Sequence, residues 1–249
     1  MLRAVLWDVD GTLAETERDG HRVAFNRAFE AHGLPWRWDV ESYGRLLAVA
    51  GGFERLLYDL EGRRDAPASH DERVDLARRL HAAKNGLYAD IVDSGAIPLR
   101  NGVRRLIDAC AEAGILQGIA TTTTRSNVDA LLGASFGPDW QRRFAAVVCA
   151  DDAPCKKPDP QAYRLALARI AAAADEAIAL EDSPNGVHAA RAAGLPTLLV
   201  RSDFFRDAAS CGETATCDDL DSRVTWRGGE AARVDLDALR RIVDRAARA

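Results

Sequence analysis

The sequence predicts an α/β protein: a doubly wound parallel sheet core with a helical cap domain inserted after the first strand. Three features carry this. Short apolar runs alternate with stretches of helical spacing, polar residues and glycine close each run, and residues 15–94 hold a helical pattern that no strong strand interrupts.

Residues 2–7 read as a buried first strand, because a short apolar run ending in Asp and Gly fits a strand covered on both faces. In the helical stretch, Val23, Ala24, Phe25, Ala28 and Phe29 recur at spacings of three and four, and residues 73–87 repeat the habit. Gly33-Leu34-Pro35, Gly51-Gly52 and residues 62–69 divide it into about four helices. After Ile97-Pro98 the expected order is helix 103–113, strand 117–120, a helix from 127, and strand 145–149. Helix 160–172, strand 177–180, helix 186–193 and strand 197–200 follow, and a last helix over 236–248 closes one side of the core. Parallel strands joined by helices imply right-handed crossovers with helices on both faces. The expected division is an α/β core of residues 1–14 and 95–249 with a cap of residues 15–94 beside the reactive end of the sheet.

The totals exclude several classes of function. At 249 residues the chain can bury a full core, and its net charge of −5 argues against a general binder of nucleic acid or anionic membrane. No run reaches the roughly 18 apolar residues of a membrane span. Five cysteines form no CxxC pair and no apolar leader precedes the first strand, so a reduced, cytoplasmic setting is expected. The cations are almost all arginine; the lysines are Lys84, Lys156 and Lys157.

Ligands of open α/β sheets sit at the carboxyl ends of strands, so the polar residues there are read together. The first tip is Asp8-Val9-Asp10-Gly11-Thr12. Two carboxylates two residues apart suit a hard divalent ion, with Mg2+ the natural choice; one could attack phosphorus while the other moves the proton of the leaving oxygen. The plain alternative is an Asp-Gly surface turn. The second tip is the run Thr121 to Thr124, whose hydroxyls and N–H groups could hold a phosphoryl oxygen or cap a helix. At the third, Lys157 is restrained by Pro158, and Lys156 is read as its solvent-facing neighbour. The fourth is Glu181-Asp182 before a helix start; Asp182 could complete a metal shell, and Glu181 could ligate directly, act through water or orient the loop.

In this order, Asp8-Val9-Asp10-Gly11-Thr12, Thr121, Lys157-Pro158 and Glu181-Asp182 resemble the motifs of the haloacid dehalogenase superfamily of phosphohydrolases, over essentially the whole chain. The resemblance implies a Rossmann-like core and an aspartyl-phosphate formed on Asp8, with Asp10 as general acid and then base. It implies that Thr121 and Lys157 bind the phosphoryl group, and that Asp8, the Asp10 carbonyl and Asp182 hold Mg2+ with Glu181 nearby. Asp10 also disfavours dehalogenation, since releasing halide needs no proton donor. The helical segment resembles the cap of the beta-phosphoglucomutase-like subfamily, and its Glu15-Thr16-Glu17, His21, Trp36-Arg37-Trp38, Tyr43-Gly44-Arg45 and Gly51-Gly52-Phe53-Glu54-Arg55 are together similar to CbbY-type sugar-phosphate phosphatases, whose substrate is a pentulose bisphosphate. This points to a small phosphorylated substrate read by Glu17, His21, Tyr43, Gly51, Gly52, Arg55 and Thr122, with Arg55 as a clamp for a second phosphate. The plain readings are His21 on a helix surface, Arg55 paired with Glu54 or Asp59, and Trp36 and Trp38 as cap core. Phe53 stands where that pattern has a lysine, which leaves a monophosphate open. A sugar phosphomutase using the same aspartyl-phosphate is the nearest alternative, and a signalling receiver domain a more distant one. A monomer is expected.

Overall fold

The computed structural model describes residues 1–248. β1 (Ala4–Trp7) leads into a π-helical turn, Glu17–His21, and four helices: α1 (Arg22–Ala31), α2 (Val40–Leu46), α3 (Gly52–Gly62) and α4 (His70–Asp93). The chain then alternates through α5 (Val103–Glu112), β2 (Leu116–Ala120), α6 (Arg125–Phe136), β3 (Ala146–Val148), α7 (Gln161–Ile170), β4 (Ala177–Glu181), α8 (Pro184–Ala192) and β5 (Thr197–Val200). Three short strands, β6 (Ala215–Cys217), β7 (Val224–Trp226) and β8 (Gly229–Ala231), precede α9 (Leu236–Ala246).

The strands form one sheet in the order β3-β2-β1-β4-β5-β6-β7-β8. Pairing is parallel from β3 through β6 and antiparallel for β7 and β8. The two-residue period sorts the apolar side chains. Val5, Trp7, Ile178 and Leu180 face one core with α5, α6 and α9, whereas Ala4, Leu6, Ala177 and Ala179 face the other with α7 and α8. Alanines on the second face let α7 and α8 approach closely. The fold class read from sequence is therefore the one observed, with helices on both faces of a mostly parallel sheet.

The inserted helices keep an apolar cluster of their own around Phe25, Phe29, Trp36, Trp38, Tyr43 and Leu80. Both tryptophans are buried, and their indole N–H groups donate to Asp65 (2.7 Å) and Asp59 (3.1 Å). α4 starts on a capping box in which Ser69 and Glu72 satisfy each other's backbone N–H. Sequence reading missed β6, β7 and β8. Each has three residues, too few to show a period, and β7 and β8 are joined through a tight turn at Arg227-Gly228. Among the described residues, no helix is long and apolar enough to cross a membrane.

Candidate active site

β1 lies between β2 and β4, and the chain leaves it in opposite directions across the sheet, so its carboxyl end is the switch point where a crevice opens. Register places Trp7 beside Leu180, and the Asp8 N–H donates to the Leu180 carbonyl at 3.0 Å. Asp8 thus emerges beside Glu181. Gly11 turns the chain below them with φ of +81°, where a Cβ would stand 2.0 Å from Asp182 Oδ2. Only glycine serves there.

Four charged groups meet at these tips, all nearly fully buried. Lys157 Nζ donates to Asp8 Oδ1 at 2.6 Å and to Glu181 Oε1 at 2.5 Å. Tyr163 Oη donates to the same Glu181 oxygen at 2.5 Å, and Ser202 Oγ donates to Asp182 Oδ2 at 2.7 Å. Ligand atoms of Asp8, Glu181 and Asp182 lie within 4.8 Å of one another. Burial and the Glu181 charge push the Asp8 carboxyl up to about 8 against the pull of Lys157. Burial and the Asp8 charge hold Asp182 well above the ordinary range. Burial opposes the Lys157 ammonium, but its two carboxylate partners raise it overall. One ammonium cannot neutralise three carboxylates. An all-oxygen trio with this surplus of negative charge fits a hard divalent cation such as Mg2+.

Asp10 stands apart from the trio. Its Oδ1 accepts from Thr16 Oγ1 at 2.6 Å and lies 2.9 Å from His21 Nε2. Burial would raise Asp10, but His21, Thr16 and Lys84 bring it down to about 2, so it rests as a carboxylate and Nε2 is the donor. The His21 ring stacks on Tyr88 with centroids 4.2 Å apart. Beyond Asp10, Tyr43 Oη donates to Glu17 and accepts from Arg55 Nη1 at 2.8 Å, and Arg55 Nη1 lies 3.6 Å from Glu17 Oε2. Gly51 precedes α3 with φ of +92°, and its missing side chain leaves room for the Glu54 carboxylate, 2.0 Å from where a Cβ would be.

These groups surround a cleft of two lobes that share Asp10, Glu17, Gly51, Arg55 and Thr122. One lobe, about 320 Å3, has Asp8, Lys157 and Asp182 at its floor and Leu47, Ala48 and Phe205 along its wall. The other, about 210 Å3, is lined by His81, Lys84, Thr123, Thr124, Asn127 and Lys156. All three lysines of the chain therefore line one cleft. Burial lowers Lys84 to about 8, Asp10 and Glu17 resisting, and burial with Lys84 lowers His81 to about 4.

The structure brings together Asp8, Lys157, Glu181 and Asp182, and around the same cleft Asp10, Glu17, His21, Gly51, Gly52 and Arg55, whereas Tyr43, read as a substrate contact, is fully buried behind the cleft and reaches it only through its bonds to Glu17 and Arg55. The carboxylates of Asp8 and Asp10 do not converge on one point. Thr122 lines both lobes, whereas the buried Thr121 hydroxyl accepts the Thr123 N–H at 3.2 Å within the turn. His21 and Arg55 are buried and bonded inward, unlike the surface helix residue and the Glu54 or Asp59 pairing that were the plain readings. Lys156, expected to face solvent, instead donates to the Ala150 carbonyl at 3.0 Å and lines the smaller lobe. Its loop folds back across the tip of β3. His81 carries no signal in the sequence, which marks Lys84 only as one of three lysines. Scarcity of lysine in an arginine-rich chain was the available signal for Lys84.

A doubly wound core with a buried Asp at the end of its first strand and a lysine and paired acids at later tips fits a class of hydrolase. The family model described as haloacid dehalogenase-like hydrolase matches residues 2–194, and the chain belongs to that family. Among its relatives, protein CbbY of Cupriavidus necator is 47% identical over 208 residues, covering 82% of this chain and 80% of that protein. The crystal structure of a CbbY variant from Rhodobacter sphaeroides in complex with xylulose-(1,5)bisphosphate superposes with a TM-score of 0.82 at 38% identity, covering 88% of this chain and 95% of that one. A beta-phosphoglucomutase from Clostridium difficile has a TM-score of 0.77 at 17% identity over the full length of both chains, a likeness of fold alone.

Proposed function

We propose that this phosphoric monoester hydrolase is a Mg2+-dependent phosphatase of a small sugar phosphate, with a pentulose bisphosphate such as xylulose 1,5-bisphosphate as the favoured substrate. One observation carries the reading: Lys157 bridges Asp8 and Glu181 at the floor of a cleft that Asp10 also lines. The kinship with CbbY supports the substrate class.

In this reading Asp8 attacks phosphorus, an Asp8–phosphorus bond forms and the ester P–O bond breaks, and the leaving oxygen takes its proton from Asp10. Water then attacks the phosphorus of the aspartyl-phosphate and gives a proton to Asp10, the Asp8 oxygen–phosphorus bond breaks, and inorganic phosphate leaves with the Asp8 carboxylate restored. Asp10 rests ionised, and an incoming phosphate raises its pKa by like-charge repulsion, loading the proton it delivers. Lys157 offsets charge on the phosphoryl oxygens, with Thr122 lining the same lobe. Asp8, Asp182 and the Asp10 carbonyl, with Glu181 nearby, would hold Mg2+, which when bound offsets negative charge on the transferring group.

Residues 15–94 act as a cap that encloses the remainder of the substrate. Glu17, Tyr43 and Arg55 form one bonded group facing Asp10 and suit sugar hydroxyls. Lys84 and Lys156 supply positive charge to the smaller lobe, where a second phosphate has room although Phe53 occupies the position of the usual lysine. Phosphate release from a panel of sugar mono- and bisphosphates and an aryl phosphate, with Mg2+ or EDTA, tests the proposal. Preference for the bisphosphate supports it. Equal rates on bisphosphate and matching monophosphate would remove the second-phosphate site, and phosphoryl transfer between sugar hydroxyls without release would make the enzyme a mutase.

A further inference from the structure

The segment after β5 carries no motif, yet it touches both halves of the site. Ser202 Oγ donates to Asp182 Oδ2 at 2.7 Å at the floor of the cleft. Two residues on, Phe204 leaves the sheet and meets the cap: its ring centroid lies 5.8 Å from that of Tyr43 at a tilt of 57°, and a Cβ on Gly44 would stand 3.2 Å from Phe204 Cδ1. The apolar cluster of the cap is otherwise built from residues 25–80. Among the described residues, only Phe204 and Phe205 join it from the core side.

The backbone beneath Phe204 is tied down on several sides. Arg100, on the connection returning from the cap, donates to the carbonyls of Gly11, Arg201 (2.6 Å) and Asp218 (2.7 Å). Glu15, on the connection leading into the cap, accepts the Asp203 N–H at 3.3 Å and lies 3.4 Å from Arg100 Nε. Both connections between cap and core are thus fastened to the segment that presents the ring. Tyr43 in turn is the hinge pin of the binding face, because its hydroxyl joins Glu17 to Arg55 over Asp10. The rings of Phe204, Phe25 and Trp38 all pack against the Tyr43 ring, with centroids 5.8, 6.3 and 5.8 Å away, and so restrict where its hydroxyl can sit.

We infer that Phe204 is a positioning residue of the substrate site: from the core it seats Tyr43, and through Tyr43 it holds Glu17 and Arg55 where the non-reacting part of the substrate binds. The inference rests on the phosphatase reading for its kinetic consequence and on geometry alone for its structural one, so two measurements separate them. The first is amide hydrogen exchange of the full-length protein and its Phe204→Ala and Phe204→Tyr variants. Faster exchange confined to residues 40–47 in Phe204→Ala, restored by Phe204→Tyr, is the expected result. The second is hydrolysis of xylulose 1,5-bisphosphate. Phe204→Ala should raise KM roughly three- to tenfold, the range that loss of an aromatic pair supports, with kcat changed less than twofold, and Phe204→Tyr should return KM to the original value. Unchanged exchange at 40–47, looser exchange with unchanged KM, or a parallel loss of kcat and global stability would each overturn the assignment. If the unaltered protein hydrolysed no phosphate ester, the phosphatase reading would fall, while the exchange pattern would still decide whether Phe204 seats Tyr43.

Discussion

Removing divalent metal should make the protein less stable as pH rises from 6.5 to 8, and Mg2+ should reverse this. Asp8 has a folded-state pKa of about 8 against 3.8 for an ordinary aspartate. A carboxyl raised in this way binds its proton more tightly when folded, so its contribution is full at low pH and is lost as pH climbs through about 8. The slope for one such group is about 1.4 kcal/mol per pH unit, or roughly 2 kcal/mol across the window. Asp182 is raised as well and acts in the same direction. His81, lowered to about 4, gains stability with pH only up to its unfolded value of 6.5, which sets the lower edge of the window. Lys84, lowered to about 8, begins to oppose the trend only at the upper edge. Asp10, lowered to about 2, contributes a constant amount throughout. For a chain of this size the loss corresponds to a fall in Tm of roughly 4–8 °C in EDTA. Mg2+ at a hundredfold excess over its Kd should add about 2.7 kcal/mol, and more at pH 8 than at pH 6.5 because it competes with protons for Asp8. Differential scanning calorimetry at several pH values, with EDTA and with Mg2+, reads both effects. A Tm in EDTA that is flat or rising between pH 6.5 and 8, or no Mg2+ shift at any pH, would refute the account of the acidic trio.

Asp8→Asn should abolish phosphate release while leaving the circular dichroism spectrum intact; a folded variant that hydrolyses an aryl phosphate at the original rate would remove Asp8 as nucleophile. Lys157→Ala should cost about a hundredfold or more in kcat, as expected for a lost donor at a developing charge. Lys156→Ala should leave aryl phosphate hydrolysis nearly untouched and raise KM for a bisphosphate, so equal losses from the two lysines would overturn their separation into two lobes. Arg55→Ala should raise KM for sugar phosphates tenfold or more and also lower stability by about 1–3 kcal/mol, because Tyr43 and the half-buried Glu17 then lose the buried guanidinium they face. Thermal melts beside the kinetics check both parts, and an unchanged Tm would show that the buried Arg55 guanidinium does not support Tyr43 and Glu17 as described.

Much of this molecule was legible in its sequence because the determining signals are local. Apolar runs closed by Asp8, Thr121 and Asp182 mark strand tips, and a parallel sheet carries all its tips to one edge, so residues far apart in the chain were expected in one site before any contact was known. The helical period of Phe25, Ala28 and Phe29 likewise announced a buried face within the inserted segment. What the chain order could not decide was which of these groups touch. Lys157 reaches Asp8 across 149 positions, and it also shares Glu181 with Tyr163. Asp10 turns away from Asp8 toward His21, Arg55 is spent on Tyr43 and Glu17, and Lys84 and His81 enter the cleft from a long helix whose sequence shows only their spacing. Phe204 acquires its role because the segment after β5 passes under the cap. Strand and helix periods depend on neighbours a few residues away, whereas these contacts depend on how whole layers pack; the first are written along the chain, and the second exist only once the sheet order and the seating of the helices above it are set.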